Sequence, residues 1–180
     1  MLKTIPSACL SLVLLLATSC ASEPTHADLY RQSREEPGEF GDPAKDELSE
    51  RARSTRIRRT RAILVQREEE LDIEEKLHAA ALLLDSNDSG DLAVAALLAE
   101  DAAKVDERGL PLLAEAIDRQ LMLQGLPQKY GTQYVWIPVT KTWELYRVDP
   151  STSDIERSSL RVPTLAQAEA RAEALNARVE

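Results

Sequence analysis

Cysteine and histidine are both scarce in this chain. Among 180 residues there are two cysteines, Cys9 and Cys20, and two histidines, His26 and His78. Both cysteines lie within the first 20 residues, so the rest of the chain can form no disulfide. An ordinary zinc site needs several His or Cys ligands. We therefore expect no metal site and no cofactor, and the composition excludes a thiolate catalyst in the main part of the chain.

Common enzyme signatures and an excess of basic residues are also missing. The sequence has no His-Glu-x-x-His, Gly-x-Ser-x-Gly, Walker or dinucleotide-binding motif. Its 22 Lys and Arg residues are outnumbered by 31 Asp and Glu residues, which gives a formal net charge of −9. Nucleic acids bind basic surfaces because their phosphates are negative. We therefore expect no nucleic-acid partner, and no familiar class of enzyme is indicated.

The N-terminus carries the pattern of an exported protein. Lys3 precedes an apolar run over residues 10–16, and small residues then lead to Cys20. The apolar run is shorter than the roughly 20 residues needed to span a bilayer. This order of basic, apolar and small residues is typical of a secretory signal, which we place at residues 1–19.

The end of this signal, Leu16-Ala17-Thr18-Ser19-Cys20, resembles the lipobox of bacterial lipoproteins. The resemblance implies cleavage before Cys20 and acylation of that residue. One acyl chain alone binds a membrane only marginally, which explains why several are attached. Ala21 in place of Asp implies the periplasmic side of the outer membrane in a host with two membranes. We expect an exported, membrane-anchored envelope lipoprotein, with an ordinary cleaved signal and an incidental cysteine as the alternative.

Two polar segments follow the anchor. Residues 20–45 contain three prolines, two glycines and few aliphatic residues, which predicts a flexible tether of roughly 25–30 Å. Residues 44–78 contain no proline or glycine and predict one long charged helix. This helix (46–78) opens a single helical domain over 46–180.

Charges along the predicted long helix are segregated. Six arginines between residues 51 and 61 precede six acidic residues between 68 and 75. One interpretation is a polar partner surface for anionic lipid heads or sugars. The other is a solvated helix face with ion pairs between residues four apart.

The main core is predicted over residues 77–165. Alanine-rich helices over about 91–106 and 111–124 follow a turn at 85–90, and together they predict a short up-down bundle. Five of the seven aromatic residues lie between 130 and 146. Strands over 133–139 and 142–148 then predict an antiparallel β-hairpin.

A last helix over 164–178 is predicted from a capping box formed by Thr164 and Gln167. Residues 149–154 are predicted to form a loop between the hairpin and this helix. The predicted fold is therefore mainly α (α+β): a short helical bundle, a small C-terminal antiparallel β-hairpin and a final helix.

The most distinctive segment is residues 118–133, which we call the polar turn. It resembles the signature of an uncharacterised bacterial protein family, in which an Asp-Arg pair ends a helix and Gly-x-Pro-Gln-x-Tyr-Gly-Thr-Gln follows. The matching residues are Asp118, Arg119, Gly125, Pro127, Gln128, Tyr130, Gly131, Thr132 and Gln133. Weaker similarity extends over about 77–165 and includes His78. The family carries no established activity.

Two interpretations of the polar turn remain open. In the first, its side chains and His78 line a polar pocket, where Arg119 holds an anion and Asp118 or His78 acts as a base. In the second, the polar groups bond internally and fasten the hairpin to the helices. The candidate binding residues are His78, Asp118, Arg119, Gln128, Tyr130, Thr132 and Gln133.

Three functions follow from these interpretations. The leading hypothesis is a non-enzymatic envelope lipoprotein that binds an envelope protein or a small polar ligand through the polar turn and the aromatic hairpin. The alternatives are a small envelope hydrolase or transferase that uses Asp118, Arg119 and His78, and a structural interaction protein that works through the 44–78 helix.

Overall fold

The computed structural model describes residues 24–35, 43–66 and 70–177. The predicted signal and Cys20 lie outside this part of the chain. The described residues form seven helices and one two-stranded sheet. The helices are α1 (His26–Glu35), α2 (Pro43–Gln66), α3 (Ile73–Leu84), α4 (Ser89–Ala103), α5 (Gly109–Leu123), α6 (Asp154–Ser159) and α7 (Leu165–Asn176), and the strands are β1 (Tyr134–Ile137) and β2 (Thr142–Leu145). The predicted mainly helical fold, with a hairpin and a final helix near the C-terminus, is confirmed.

The core lies where α3, α4 and α5 pack on one another. Three leucines and two alanines form its buried cluster: Leu83, Leu84, Leu92, Ala95 and Ala116. Fully burying one leucine side chain contributes about 1.5–3 kcal/mol to stability. Ile57 and Leu64 of α2 pack against the cluster from one side. These apolar side chains place α2 against the three-helix core as a fourth helix.

The predicted long helix over 44–78 is wrong, because α2 ends at Gln66 and α3 begins at Ile73. Asp72 caps α3: its carboxylate accepts from the Glu75 amide at 2.9 Å, and the Glu75 carboxylate accepts from the Asp72 amide at 3.0 Å. This reciprocal capping box competes with continuation of a helix through Asp72. The pattern Asp-x-x-Glu in the sequence is typical of a helix start. The break between α2 and α3 was therefore detectable even though the segment contains no proline or glycine.

The predicted tether over 20–45 is too long, because α1 begins inside it. Thr25 and Asp28 cap α1 reciprocally through bonds between side chain and backbone. His26 and Leu29 are buried, and the Tyr30 ring stacks on His78 of α3 with centroids 4.7 Å apart. Helix α1 is therefore part of the domain. From Cys20 to His26, even an extended chain reaches only about 20 Å.

Strands β1 and β2 form the predicted antiparallel hairpin, with Trp136 opposite Trp143. Helix α7 fastens this hairpin to the domain through Asn176, whose side chain accepts from the Trp143 amide at 2.6 Å and donates to its carbonyl at 3.0 Å. The Tyr134 hydroxyl also donates to the Ala168 carbonyl at 3.1 Å. The capping box predicted at the start of α7 is confirmed.

Helix α6 begins at the end of the segment predicted to be a loop. Its N-cap, Ser153, makes a capping box with Glu156. Within the described ranges, no helix combines the length and the apolar character needed to cross a bilayer.

Close packing of α4 on α5 depends on Gly109. A Cβ atom added there would lie 2.4 Å from the Ala99 carbonyl oxygen and 2.6 Å from the Ala103 nitrogen, both of which are backbone atoms. We expect Gly109→Ala to lower the free energy of unfolding by about 1–3 kcal/mol, because overpacking forces the helices apart. Chemical denaturation measures this loss. Val105→Ala, at an exposed position in the same connection, should cost little, and equal stability of Gly109→Ala and the wild type would contradict the packing argument.

Candidate functional site

The centre of the polar turn is the carboxylate of Asp118, which is fully buried and lies on α5, five residues before the last helical residue, Leu123. Its Oδ1 accepts from the amides of Lys129 and Tyr130 at 2.7 and 3.0 Å. Its Oδ2 accepts from the Thr132 amide at 3.1 Å and the Thr132 hydroxyl at 2.8 Å. A carboxylate offers about four lone-pair sites. The loop that follows α5 therefore occupies this acceptor fully.

Gln128 is also fully buried, and its side chain, like that of Asp118, bonds to the backbone of the loop. Its Nε2 donates to the carbonyls of Gln133 and Tyr146 at 3.0 and 2.7 Å, and its Oε1 accepts from the Gln133 amide at 2.8 Å. The backbone of Gln128 forms a β-bridge with Val148, in which the Gln128 amide donates to the Arg147 carbonyl at 3.0 Å. One amide side chain thus joins the polar turn to the end of β2.

Arg157 of α6 contacts the polar turn at Lys129 and was not predicted as a site residue. Its side chain is only 2% exposed. Its guanidinium donates to the carbonyls of Thr152 and Lys129 at 2.8 and 3.3 Å and pairs with Asp154 at 3.1 Å. The Asp154-Arg157 spacing of three on a short helix is the sequence signal for this pair, but the contact with Lys129 is long-range.

Two glycines give the polar turn its backbone path. Gly125, with φ of +69°, follows α5 directly, and the Leu126 amide returns to the Leu121 carbonyl at 2.9 Å. Gly131 has φ of +79°, and a Cβ atom there would lie 3.5 Å from Ala168. Both conformations lie in the left-handed region that glycine adopts readily. Glycine is therefore favoured at both positions by its backbone conformation, and the neighbour of Gly131 lies at ordinary van der Waals distance.

Arg119 points away from Asp118 and reaches the turn between α3 and α4. Its Nη2 donates to the Ser86 carbonyl at 3.1 Å, and its Nη1 lies 3.5 Å from Gln133 Oε1. Burial lowers the pKa of Arg119, and the nearby Glu115 carboxylate opposes that shift. Burial likewise raises the pKa of Glu115, where Arg119 is the largest opposing influence. Arg119 therefore fastens α5 to the α3–α4 turn.

Tyr130 and Gln133 complete the polar turn. Burial and then the Asp118 charge raise the pKa of Tyr130, so its hydroxyl is held further from ionisation than usual. The Gln133 side chain is buried and donates to the Thr132 hydroxyl at 3.0 Å. These contacts bring Asp118, Gln128, Thr132 and Gln133 together as one internally bonded unit.

His78 belongs to another part of the molecule. It lies on α3, where its ring stacks on Tyr30 and its Nε2 is 4.0 Å from the Glu74 carboxylate. The surrounding cleft of about 300 Å³ lies between α1, α3 and α5. Arg108 and Leu112 also line this cleft, whereas no residue of the polar turn does. The structure thus separates His78 from the residues with which it was grouped.

The outer edge of the polar turn carries exposed apolar side chains. Leu123 and Leu126 are 44% and 46% exposed where α5 ends. Arg147 lies beside them, because its guanidinium donates to the Gly125 carbonyl and rests 5.7 Å from the centre of the Tyr146 ring. We call these four residues the turn patch. They were not predicted as a site, since exposure of the leucines depends on how the loop folds back.

The arrangement uses the Asp118 carboxylate to hold the loop. Its oxygens accept from the amides of Lys129, Tyr130 and Thr132 and from the Thr132 hydroxyl. Within the described residues, no three His, Cys, Asp or Glu side chains lie close enough together to hold a metal ion.

Comparisons with known proteins yield no match to any family model and no significant similarity to curated proteins or solved structures. The family resemblance of the polar turn stays a prediction.

The saturated Asp118 carboxylate predicts a large stability effect. Asp118→Asn replaces one acceptor oxygen by an NH₂ group that faces amide donors, so we expect unfolding to become easier by about 3 kcal/mol or more. Thr132→Val removes one donor only and should cost about 1 kcal/mol. Thermal and denaturant unfolding measure both losses. Glu169→Gln, an exposed change of the same kind on α7, serves as the control, and an Asp118→Asn loss no larger than this control would refute the role of Asp118.

Proposed function

We propose that this chain is a lipoprotein of the bacterial envelope, acylated on Cys20, whose domain binds a protein partner and catalyses no reaction. In a host with two membranes, its place is the periplasmic side of the outer membrane. The resemblance of residues 16–20 to the lipobox supports the anchor. The turn patch supports binding, and the observation that carries this proposal is its exposure next to the loop that Asp118 holds in place.

The composition of the turn patch suits a protein interface. Arginine and tyrosine are enriched among the residues that contribute most to binding between proteins. Here Tyr146 and Arg147 lie beside two leucines that are each nearly half exposed. Burying the leucines against a partner would remove apolar surface from water at about 25 cal/mol per Å². The patch thus combines an apolar centre with a polar edge.

Rigidity of the loop favours binding further. The Asp118 side chain accepts from the amides of Lys129 and Tyr130, and the Gln128 side chain accepts from the amide of Gln133. A surface that is already ordered loses little conformational entropy when a partner binds. The polar turn can therefore bond internally and still present a binding surface at its outer edge.

The same contacts give the catalytic alternative no support. A hydrolase or transferase that uses Asp118, Arg119 and His78 needs these groups around one substrate. Asp118 is saturated by loop donors, Arg119 is directed to Ser86, and His78 lies beside Tyr30 in a separate cleft.

The turn patch is tested by Leu126→Asp combined with Leu123→Asp. We expect this double variant to keep the melting temperature of the wild type and to lose capture of a specific partner at least about tenfold, since charge opposes burial of the patch. Cross-linking in intact cells followed by mass spectrometry measures capture. Leu97→Asp, on the exposed face of α4, is the matched control. Wild-type capture by the double variant, or equal loss in the control, would contradict the proposal.

The anchor is tested independently by Cys20→Ser. We expect the native protein to begin at an acylated residue 20 and to fractionate with membranes, because hydrocarbon chains hold it there. The serine variant should leave the membrane fraction or retain its signal. Mass spectrometry of the native N-terminal peptide decides the question, and a free thiol at Cys20 would rule the anchor out.

A further inference from the structure

Strand β1 carries no charge. Its sequence, Tyr-Val-Trp-Ile over residues 134–137, consists of β-branched and aromatic residues that favour extended backbone. Natural edge strands are usually protected against pairing with other chains by charged residues, by bulges or by a covering element. Both strands of a two-stranded sheet have an outer edge, so the neighbours of the hairpin decide which edge is protected.

Helix α7 covers the outer edge of β2. The Asn176 side chain bonds to both backbone groups of Trp143, since its oxygen accepts from the amide at 2.6 Å and its nitrogen donates to the carbonyl at 3.0 Å. These two groups of Trp143 consequently point away from β1 and towards α7, which packs on β2. A second strand cannot pair at this edge while Asn176 occupies it.

The register of the hairpin fixes the direction of the backbone groups of β1. Opposite residues in an antiparallel pair both point their backbone groups inward or both point them outward, and the two kinds alternate. Because Trp143 points outward, its partner Trp136 does so as well, and so does Tyr134 two residues earlier. The bond from the Tyr146 amide to the Gln133 carbonyl at 3.0 Å agrees with this alternation, since that pair points inward.

The outer edge of β1 is therefore lined by the amides and carbonyls of Tyr134 and Trp136. Within the part of the chain that the structure describes, no hydrogen bond reaches any of these four groups. A row of donors and acceptors of this kind pairs readily with another extended chain. The edge thus has the form of an attachment site for one strand.

Strand β1 of a second copy fits this edge. In an antiparallel pair centred on Val135, Tyr134 of each copy lies opposite Trp136 of the other, and all outward groups of both strands become bonded. Tyrosine and tryptophan then form cross-strand aromatic pairs, which stabilise antiparallel sheets. The chain as a whole carries a formal charge of −9, but this strand brings no like charges together.

Pairing through β1 stops at two copies, because α7 covers the other edge of each hairpin. The contact is small: stable interfaces bury about 1,200–2,000 Å², more than two strands of four residues cover. Association in free solution should therefore be weak. Acyl chains that hold the copies in one membrane raise their effective concentration, which compensates for the small area.

We propose that two copies of this chain pair antiparallel through β1, about a two-fold axis at Val135, and form a four-stranded sheet at the membrane. The confinement that favours this pairing rests on the proposed acylation of Cys20. The turn patch contains no residue of β1, so self-association and binding of a partner protein use different residues.

Cysteine substitution tests the pairing and its register. In the proposed pair, Val135 lies opposite its counterpart in the second copy at a Cα separation of about 4.5 Å, which a disulfide can bridge. Ile137 lies on the same face of the same strand, but its two copies are about 13 Å apart along the strands, too far for a disulfide. Val135→Cys and Ile137→Cys are therefore matched variants.

Both variants are made in the full-length chain, oxidised in intact cells and separated on gels without reductant. Cys9 leaves with the signal and acylated Cys20 has no free thiol, so each variant contains one reactive thiol. We expect at least about tenfold more cross-linked dimer from Val135→Cys than from Ile137→Cys, because only the first pair lies within disulfide range. The wild type should give no dimer.

Proline tests the hydrogen bonds of the edge. In the Val135→Cys background, Trp136→Pro removes an outward amide that the hairpin does not use, and edge strands tolerate proline there. Trp136→Val also loses the ring but keeps the amide. Each lost bond weakens association by roughly fivefold, and each copy loses one, so the proline variant should give at least about tenfold less dimer than the valine variant. Equal melting temperatures of the two variants show that both are folded.

Equal amounts of dimer from Val135→Cys and Ile137→Cys, or no dimer from either, overturn this inference alone. A wild-type chain that cross-links through Cys20 overturns the proposed acylation instead. The two cysteine variants are then compared in a Cys20→Ser background, where the absence of a Val135→Cys dimer overturns the pairing as well.

Discussion

The buried carboxylate of Asp118 is the interaction on which the C-terminal half of the structure depends. An ionised carboxylate costs several kcal/mol to remove from water unless donors replace the lost hydration. Here the donors are amides and a hydroxyl from the loop at Lys129, Tyr130 and Thr132. The charge therefore forces the chain after α5 to fold back on the helix. Because Gln128 then joins that loop to the end of β2, the hairpin is fixed relative to the bundle.

This constraint changes the meaning of the polar turn. Side chains that look like a ligand-binding set in the sequence bond mostly to neighbouring backbone, and they build a rigid loop. The surface that we propose for a partner is the exposed edge beside that loop, at Leu123, Leu126 and Arg147. In the proposed function, the polar residues of the motif hold the loop in place. The apolar and basic residues beside them contact the partner.

Local signals predicted most of the fold, whereas long-range contacts escaped prediction. The hairpin and the α7 capping box follow from patterns within a few residues. Helix α1 was missed although its cap, Thr25 with Asp28, is a local signal, because the prolines and glycines of residues 20–45 indicated a tether. The packing of α1, with Leu29 buried and Tyr30 stacked on His78, is long-range. In the site, the grouping of His78 with Asp118 failed since spacing along a chain does not fix distances between helices. Arg157 was missed for the same reason.

Amide hydrogen exchange at Lys129, Tyr130 and Thr132 tests the central claim most directly. If Asp118 fixes the loop, these three amides open only when the domain unfolds, and their exchange reports the same free energy as amides in the interior of α5. Loop amides that merely lie near the surface would instead exchange through local opening, at a free energy close to zero. Protection equal to that of α5 supports the account, and fast exchange of all three amides in the native protein contradicts it.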